Sequence, residues 1–327
     1  VAAVVSLLVG WGAIRLAPRL GLVDRPDARL KTHGRPVAAV GGFGVFAGIL
    51  AGGAVTGRLL PGPLLGLGAL LGLGVLDDRA EIDPRLRLVA EVAIGAVLGW
   101  SSPFPADPAT RALLGALVVV VAVNAVNLVD GLDGLAGSVT LVAALGVWWM
   151  ASGRGTVGVE AAVLAGALAG FLALNRPPAR VFLGDGGAYL VGGALAVAML
   201  GAVPPGIDSW GTRLAGLAAA VALLGVVLVD LVVTTLRRRL AGRPLFVGDR
   251  SHLYDRLVDR GWPVPAVDLA AAGTQALVVA AVVGVDRARG PVSSTLTGIA
   301  VGVGLVGVAG AAGFLRGAPA PSGGGER

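Results

Sequence analysis

The segment Asn124-Ala125-Val126-Asn127-Leu128-Val129-Asp130-Gly131-Leu132-Asp133-Gly134-Leu135-Ala136 closes an apolar run that begins at residue 112. A helix needs roughly 17–25 predominantly apolar residues to cross the hydrocarbon of a bilayer, so 112–129 predicts a membrane helix. Asn124, Asn127 and Asp130 recur at three-residue steps and share one face of it. Such a polar stripe is costly in lipid unless it lines a cavity inside the protein. The glycines then break the helix and let a ligand approach the backbone. Asp133 reads either as part of that site or as a cap for the next helix.

The rest of the chain follows the same plan. It is 55% hydrophobic and only 14% charged over 327 residues, with mean hydropathy +0.84, too little charge to cover a water-soluble domain of this length. The 54 glycines would weaken soluble helices but let membrane helices approach closely, and they allow a homodimer. Apolar runs predict about eleven transmembrane helices, at 1–17, 38–56, 59–76, 87–101, 112–129, 136–151, 157–175, 187–203, 212–236, 264–285 and 292–315. The fourth is short and carries Glu91. The expectation is an all-α polytopic membrane protein with one integral membrane domain over 1–315. The tail 316–327, rich in Gly, Pro and Ala, is expected to be disordered. The chain opens at Val1 inside an apolar stretch without a cleavable signal pattern, which predicts a few further native residues before it. The absence of cysteine excludes disulfides, thiolate catalysis and Cys-ligated metals.

Alternating the loops across the membrane puts 20 of the 26 Lys and Arg residues on one side. The six on the other side are Arg58, Arg111, Arg154, Arg213, Arg287 and Arg289. The positive-inside rule makes the richer side cytoplasmic, with the N-terminus outside and the C-terminus inside. The net charge of +6 is thereby explained as membrane-side charge, and no nucleic-acid partner is expected. Trp100, Trp148, Trp149, Trp210 and Trp262 fall near predicted span ends, as interfacial tryptophans do. Asp77, Asp78, Asp83, Asp130, Asp133, Asp185, Asp249 and both histidines fall on the cytoplasmic side, although acids contribute little to the rule. Something else requires them there.

Three further motifs accompany the opening segment. Gly74-Val75-Leu76-Asp77-Asp78 ends the third span with two adjacent carboxylates, which repel unless a cation or proton relieves them. Mg²⁺ suits such a pair because it commonly joins one or two carboxylates to substrate phosphates. Phe182-Leu183-Gly184-Asp185-Gly186-Gly187 places Asp185 where a glycine-rich turn meets a helix, as a metal ligand, an N-cap or both. The longest polar stretch, 237–265, contains Asp249-Arg250-Ser251-His252-Leu253-Tyr254-Asp255-Arg256, in which His252 and Arg256 share a face if helical. The other histidine, His33, lies in Arg29-Leu30-Lys31-Thr32-His33-Gly34-Arg35-Pro36.

In this order the four motifs resemble the polyprenyl-phosphate N-acetylhexosamine-1-phosphate transferase family (glycosyltransferase family 4), nearer its WecA/TagO-like branch and related to MraY. The resemblance runs from Asp24-Arg25-Pro26 to the loop ending near Gly261. The second histidine of the family's loop is here Tyr254. The resemblance implies ten or eleven helices, a bacterial inner-membrane location, and Mg²⁺, with Mn²⁺ as an alternative. It further implies transfer of a sugar 1-phosphate from a UDP-N-acetylhexosamine to polyprenyl (undecaprenyl) phosphate in the bilayer, releasing UMP. That is the first membrane step of cell-envelope polysaccharide synthesis. By the same resemblance Asp185 binds the metal, with Asp78 touching it. Asp77, Asp78 and His252 are the catalytic candidates. Lys31, His33, Asn124, Asn127, Asp130, Asp133, Phe182, Arg250 and Arg256 are the substrate-binding candidates, Phe182 by stacking on uracil and the arginines by matching phosphate oxygens.

An ion-coupled membrane transporter is the alternative from another class, since intramembrane acids and broken helices also mark ion pathways. It expects acids at mid-membrane and an internal repeat, and the sequence offers acids at helix ends and no convincing repeat. An aromatic prenyltransferase would show two Asp-rich boxes, and a lipid-phosphate phosphatase would need more histidine than this chain holds.

Overall fold

The computed structural model describes residues 1–24, 36–152, 158–207, 209–242 and 252–315. The elements run α1 (Ala2–Leu20), β1 (Val23–Asp24), β2 (Val37–Ala39), α2 (Gly41–Val55), α3 (Pro61–Ala80), α4 (Pro84–Trp100), α5 (Pro108–Val129), α6 (Leu135–Ala151) and α7 (Gly158–Asn175). They continue with β3 (Val181–Phe182), α8 (Gly184–Gly201), α9 (Trp210–Ala222), α10 (Gly225–Leu240), α11 (Leu253–Asp259), α12 (Val264–Arg289) and α13 (Pro291–Ala311). Six of these helices, α1, α5, α7, α8, α12 and α13, are long and apolar enough to cross a membrane, and the bent pair α9–α10 makes a seventh if it counts as one span. The chain is a multi-pass membrane protein.

Each of the eleven expected runs coincides with a helix or with that bent pair. Among them α2 and α6 are shorter apolar helices of 15 and 17 residues, while α3 and α4 carry charge at their facing ends. The helix α8 lies at the centre, almost wholly buried, with α2, α3, α5 and α7 around it. The periphery turns its apolar side chains outward: Leu296, Ile299, Val303 and Val308 of α13 are all exposed, the surface expected where the solvent is lipid.

The structure corrects the helical expectation in two places. A three-stranded sheet in the order β1-β2-β3 forms, antiparallel between Val23 and Ala38 and parallel between Ala39 and Phe182. Its strands of two or three residues are too short to show a period of two. The ninth expected span, 212–236, is two helices meeting at 85°. A break in the helical ladder frees backbone groups that lipid cannot satisfy. Gln275 of α12, fully buried, meets them: its Oε1 accepts from Val226 N–H at 2.9 Å and its Nε2 donates to the Leu223 carbonyl at 2.5 Å.

Replacing Gln275 by Leu leaves both groups without a partner at similar volume. We expect a loss of roughly 2–6 kcal/mol, at about 1–3 kcal/mol for each of the two buried unsatisfied groups, read as a fall in Tm in detergent. An unchanged Tm would show that the bend does not depend on this side chain.

Candidate active site

The corner is set by α3 and α8. A Cβ added at Gly74 would stand 2.4 Å from the Asp185 carbonyl and from the Gly186 nitrogen, so only glycine lets α3 come this close to the start of α8. One turn further on, Asp78 accepts the Asp185 N–H on Oδ1 at 3.2 Å and the Gly186 N–H on Oδ2 at 3.3 Å. First-turn N–H groups lack partners within their own helix, and the N-terminus carries partial positive charge. Asp78 of α3 therefore caps α8 from outside. Asp185 itself lies inside the first turn, and Leu183, at the cap position, makes no side-chain cap bond, so the N-cap reading of Asp185 does not hold.

The adjacent acid has a different environment. Asp77 is buried, and its Oδ1 accepts from Ile82 N–H at 2.9 Å. Its Oδ2 accepts from the Tyr189 hydroxyl at 2.5 Å and from Arg87 at 3.3 Å. Arg87 also donates to Asn124 Oδ1 at 3.3 Å and pairs with Glu91 at 3.4 Å. Asn124 Nδ2 in turn donates to Glu91 at 2.5 Å. The two carboxylates that share a dipeptide thus divide: Asp77 is held within a buried network, and Asp78 is exposed at the head of α8.

The polar stripe of α5 faces two partners. Asn124 turns to α4, while Asn127 donates to Asp185 Oδ1 at 2.7 Å. Asp130, just past the end of α5, accepts the Gly184 N–H. It keeps part of its surface exposed, yet burial pushes its carboxyl well above the usual range, and the like charges of Asp185, Asp78 and Asp24 add to the shift. Asp24 arrives from β1, which pairs with β2, the strand that in turn pairs with β3. Asp133 neither caps α6, where Gly134 stands at the cap position without a side-chain bond, nor joins this group. It accepts the Ala179 N–H at 2.8 Å and ties the loop before β3.

Two of the remaining candidates, His252 and Arg256, stand with α11. Tyr254 of α11 donates to the Leu128 carbonyl at 3.0 Å, and a Cβ at Gly131 would meet its hydroxyl at 2.1 Å. His252 stacks on Tyr254, with ring centroids 5.4 Å apart and planes inclined by 6°. Arg256 donates to the Phe314 carbonyl at 2.5 Å and lies over its ring, tying α11 to the end of α13. Phe182 is half-buried on β3. Lys31, His33 and Arg250 lie outside the described residues.

Sequence reasoning missed Arg87, Tyr189, Glu91 and Asp24 as site residues. Arg87 and Glu91 stand at i and i+4, a spacing that pairs on a helix, and an acid inside an apolar run invites a search for its partner. Those two signals would have found Arg87 and Glu91.

Among the described residues, no three of His, Asp and Glu converge as a metal cage. Mg²⁺ does not need one, since it keeps waters and takes one or two carboxylates with substrate phosphates. Asp185 and Asp78, with Asp130 and Asp24 crowding them, fit that mode: a concentration of oxygen donors whose mutual repulsion a divalent ion relieves.

The family model described as glycosyl transferase family 4 matches residues 60–203, the stretch that holds α3, α5 and the start of α8. A decaprenyl-phosphate N-acetylglucosaminephosphotransferase of Mycobacterium tuberculosis is 31% identical over 302 residues, covering 80% of this chain and 74% of that protein. The chain belongs to glycosyltransferase family 4. A Bacillus subtilis relative of this family-4 protein, named a probable undecaprenyl-phosphate N-acetylglucosaminyl 1-phosphate transferase, is 29% identical over 265 residues, 76% of this chain and 72% of its own length. A phospho-N-acetylmuramoyl-pentapeptide-transferase of Clostridium kluyveri is 47% identical over 70 residues, 20% of this chain and 22% of its own. The family-4 region contains Asp77, Asp78, Asn127, Asp130 and Asp185, while His252 and Arg256 lie beyond it.

Proposed function

We propose that this protein transfers an N-acetylhexosamine 1-phosphate from a UDP-sugar to a polyprenyl phosphate, in a bacterial plasma membrane crossed about eleven times with this corner on the cytoplasmic side. An oxygen of the lipid phosphate attacks the sugar-bearing phosphorus of the donor. The bond from that phosphorus to the bridging oxygen breaks, and UMP leaves with the electron pair. The observation that carries the reading is the corner itself: Asp78 and Asp185 meet at the head of α8, at one end of an apolar bundle. The names of the relatives support it.

Phosphoryl transfer asks mainly for positioning and charge neutralisation in line with the leaving group. Asp185, held by Asn127, and Asp78 would hold Mg²⁺, or Mn²⁺ in its place. The ion would neutralise charge on the diphosphate. Asp77, oriented by Arg87 and Tyr189, sets the side of the corner on which the lipid phosphate is placed. That phosphate, with a second pKa near 6, is already largely dianionic at neutral pH, so a dedicated base is not required. His252 and Arg256 bind the donor's phosphate or sugar side. For the lipid tail, an apolar groove of about 430 Å³ opens at the α9–α10 bend, lined by Val221, Leu228, Val232, Ile299, Val303 and Val306.

Glu91 and Asp230, the acids deepest in apolar helices, are each paired, with Arg87 and His252. Nothing in their placement favours an ion path. The reading is tested with purified protein, undecaprenyl phosphate, Mg²⁺ and a panel of UDP-sugars. UDP-GlcNAc, UDP-GalNAc or a deoxy analogue should release UMP, and silence across the panel would reject the reaction.

A further inference from the structure

Outside the acidic corner, a buried carboxylate stands against the ring of His252. Asp230 of α10 is 2% exposed. Its Oδ2 lies 2.7 Å from His252 Nδ1, and its Oδ1 accepts the Leu253 N–H at 2.8 Å. One carboxylate thus grips both the imidazole and the backbone that begins α11. Thr234, one turn along α10, places its hydroxyl 3.3 Å from the same Nδ1. A buried carboxylate costs several kcal/mol unless it is paired and hydrogen-bonded, and simple packing of α11 on α10 does not call for one.

The chemistry of the contact fixes the proton. An ionised carboxylate only accepts, so Nδ1 carries hydrogen whether the ring is neutral or charged. Among the described residues Nε2 makes no hydrogen bond. The ring plane is set as well, because His252 stacks on Tyr254, whose hydroxyl is bound to Leu128 between Asn127 and Asp130. A carboxylate that holds one ring nitrogen so that the other can serve a ligand is a recurrent arrangement in metal and catalytic sites.

We propose that Asp230 is a positioning residue, holding His252 with its proton on Nδ1 and leaving Nε2 as the nitrogen that meets the donor substrate. The part concerning substrate rests on the transferase reading; the part concerning the proton does not. The chain has two histidines, so a His33→Gln background leaves His252 as the sole imidazole for ¹⁵N NMR in detergent micelles. The neutral ring should show hydrogen on Nδ1 and a bare Nε2. Asp230→Asn keeps an oxygen for Leu253 N–H but offers Nδ1 an amide donor, which reverses the tautomer. With His33 retained, that variant should lose about 10–100-fold in kcat for UMP release, the range for such outer partners, with Tm little changed.

A wild-type ring protonated on Nε2 would overturn the proposal. A reversed tautomer with undiminished kcat would do the same. If Asp230→Asn does not fold, the wild-type spectrum alone decides. Because that spectrum uses no substrate, a wild-type protein releasing no UMP would reject the transferase reading while leaving the role of Asp230 to the NMR result.

Discussion

Asp185→Asn is expected to lower kcat for UMP release by about 10³-fold and to weaken the apparent affinity for Mg²⁺. Asparagine preserves the shape and can keep a bond to Asn127, now 2.7 Å from Oδ1. What it removes is a carboxylate, and with it the ability to carry negative charge, at the position proposed to hold a divalent ion. Charge stabilisation by such an ion supplies several kcal/mol to phosphoryl transfer, and about 4 kcal/mol corresponds to 10³ in rate. The measurement is UMP release against Mg²⁺ concentration. A variant within threefold of wild type at every concentration would remove Asp185 from the metal.

Gly74→Ala is expected to cost about 10²-fold in kcat although it adds a single methyl group. That methyl would lie 2.4 Å from backbone atoms of Asp185 and Gly186, and backbone cannot turn aside as a side chain can. The helices α3 and α8 must separate, which stretches both bonds from Asp78 to the head of α8. Overpacking typically costs 1–3 kcal/mol in stability, and a displacement on the order of 1 Å at reacting groups costs about 10² in rate. Gly72 on the same helix is exposed, with nothing within 4 Å of an added Cβ, so Gly72→Ala should behave as wild type. Equal activities for the two alanine variants would mean that the close α3–α8 contact is not needed for turnover.

Much of the helical plan was readable, because a bilayer allows few alternatives to an apolar run of sufficient length. The stripe of α5 was readable too: three-residue spacing of Asn124, Asn127 and Asp130 forced one face, and that face meets α4 and α8. What could not be read was set by distant partners. Tyr189 and Asp77 stand 112 positions apart, and nothing near either residue signals the bond. The bend between α9 and α10 falls in an apolar run without proline, and the side chain that satisfies it comes from α12. The cap alternative for Asp133 fails because its carboxylate is bonded to Ala179, in the loop before β3, rather than to the helix it precedes.

The placement of the two tyrosines has a spectroscopic consequence. Tyr189 and Tyr254 are the only phenols in the chain; one is bonded to Asp77 and the other to the turn after Asn127. All six tryptophans are well exposed on the outside of the bundle. Vibrational bands of the phenol ring, or isotope labels on tyrosine, therefore carry no background from the scaffold. They report on the Asp77 network and on the Leu128 carbonyl at the end of α5, and on nothing else.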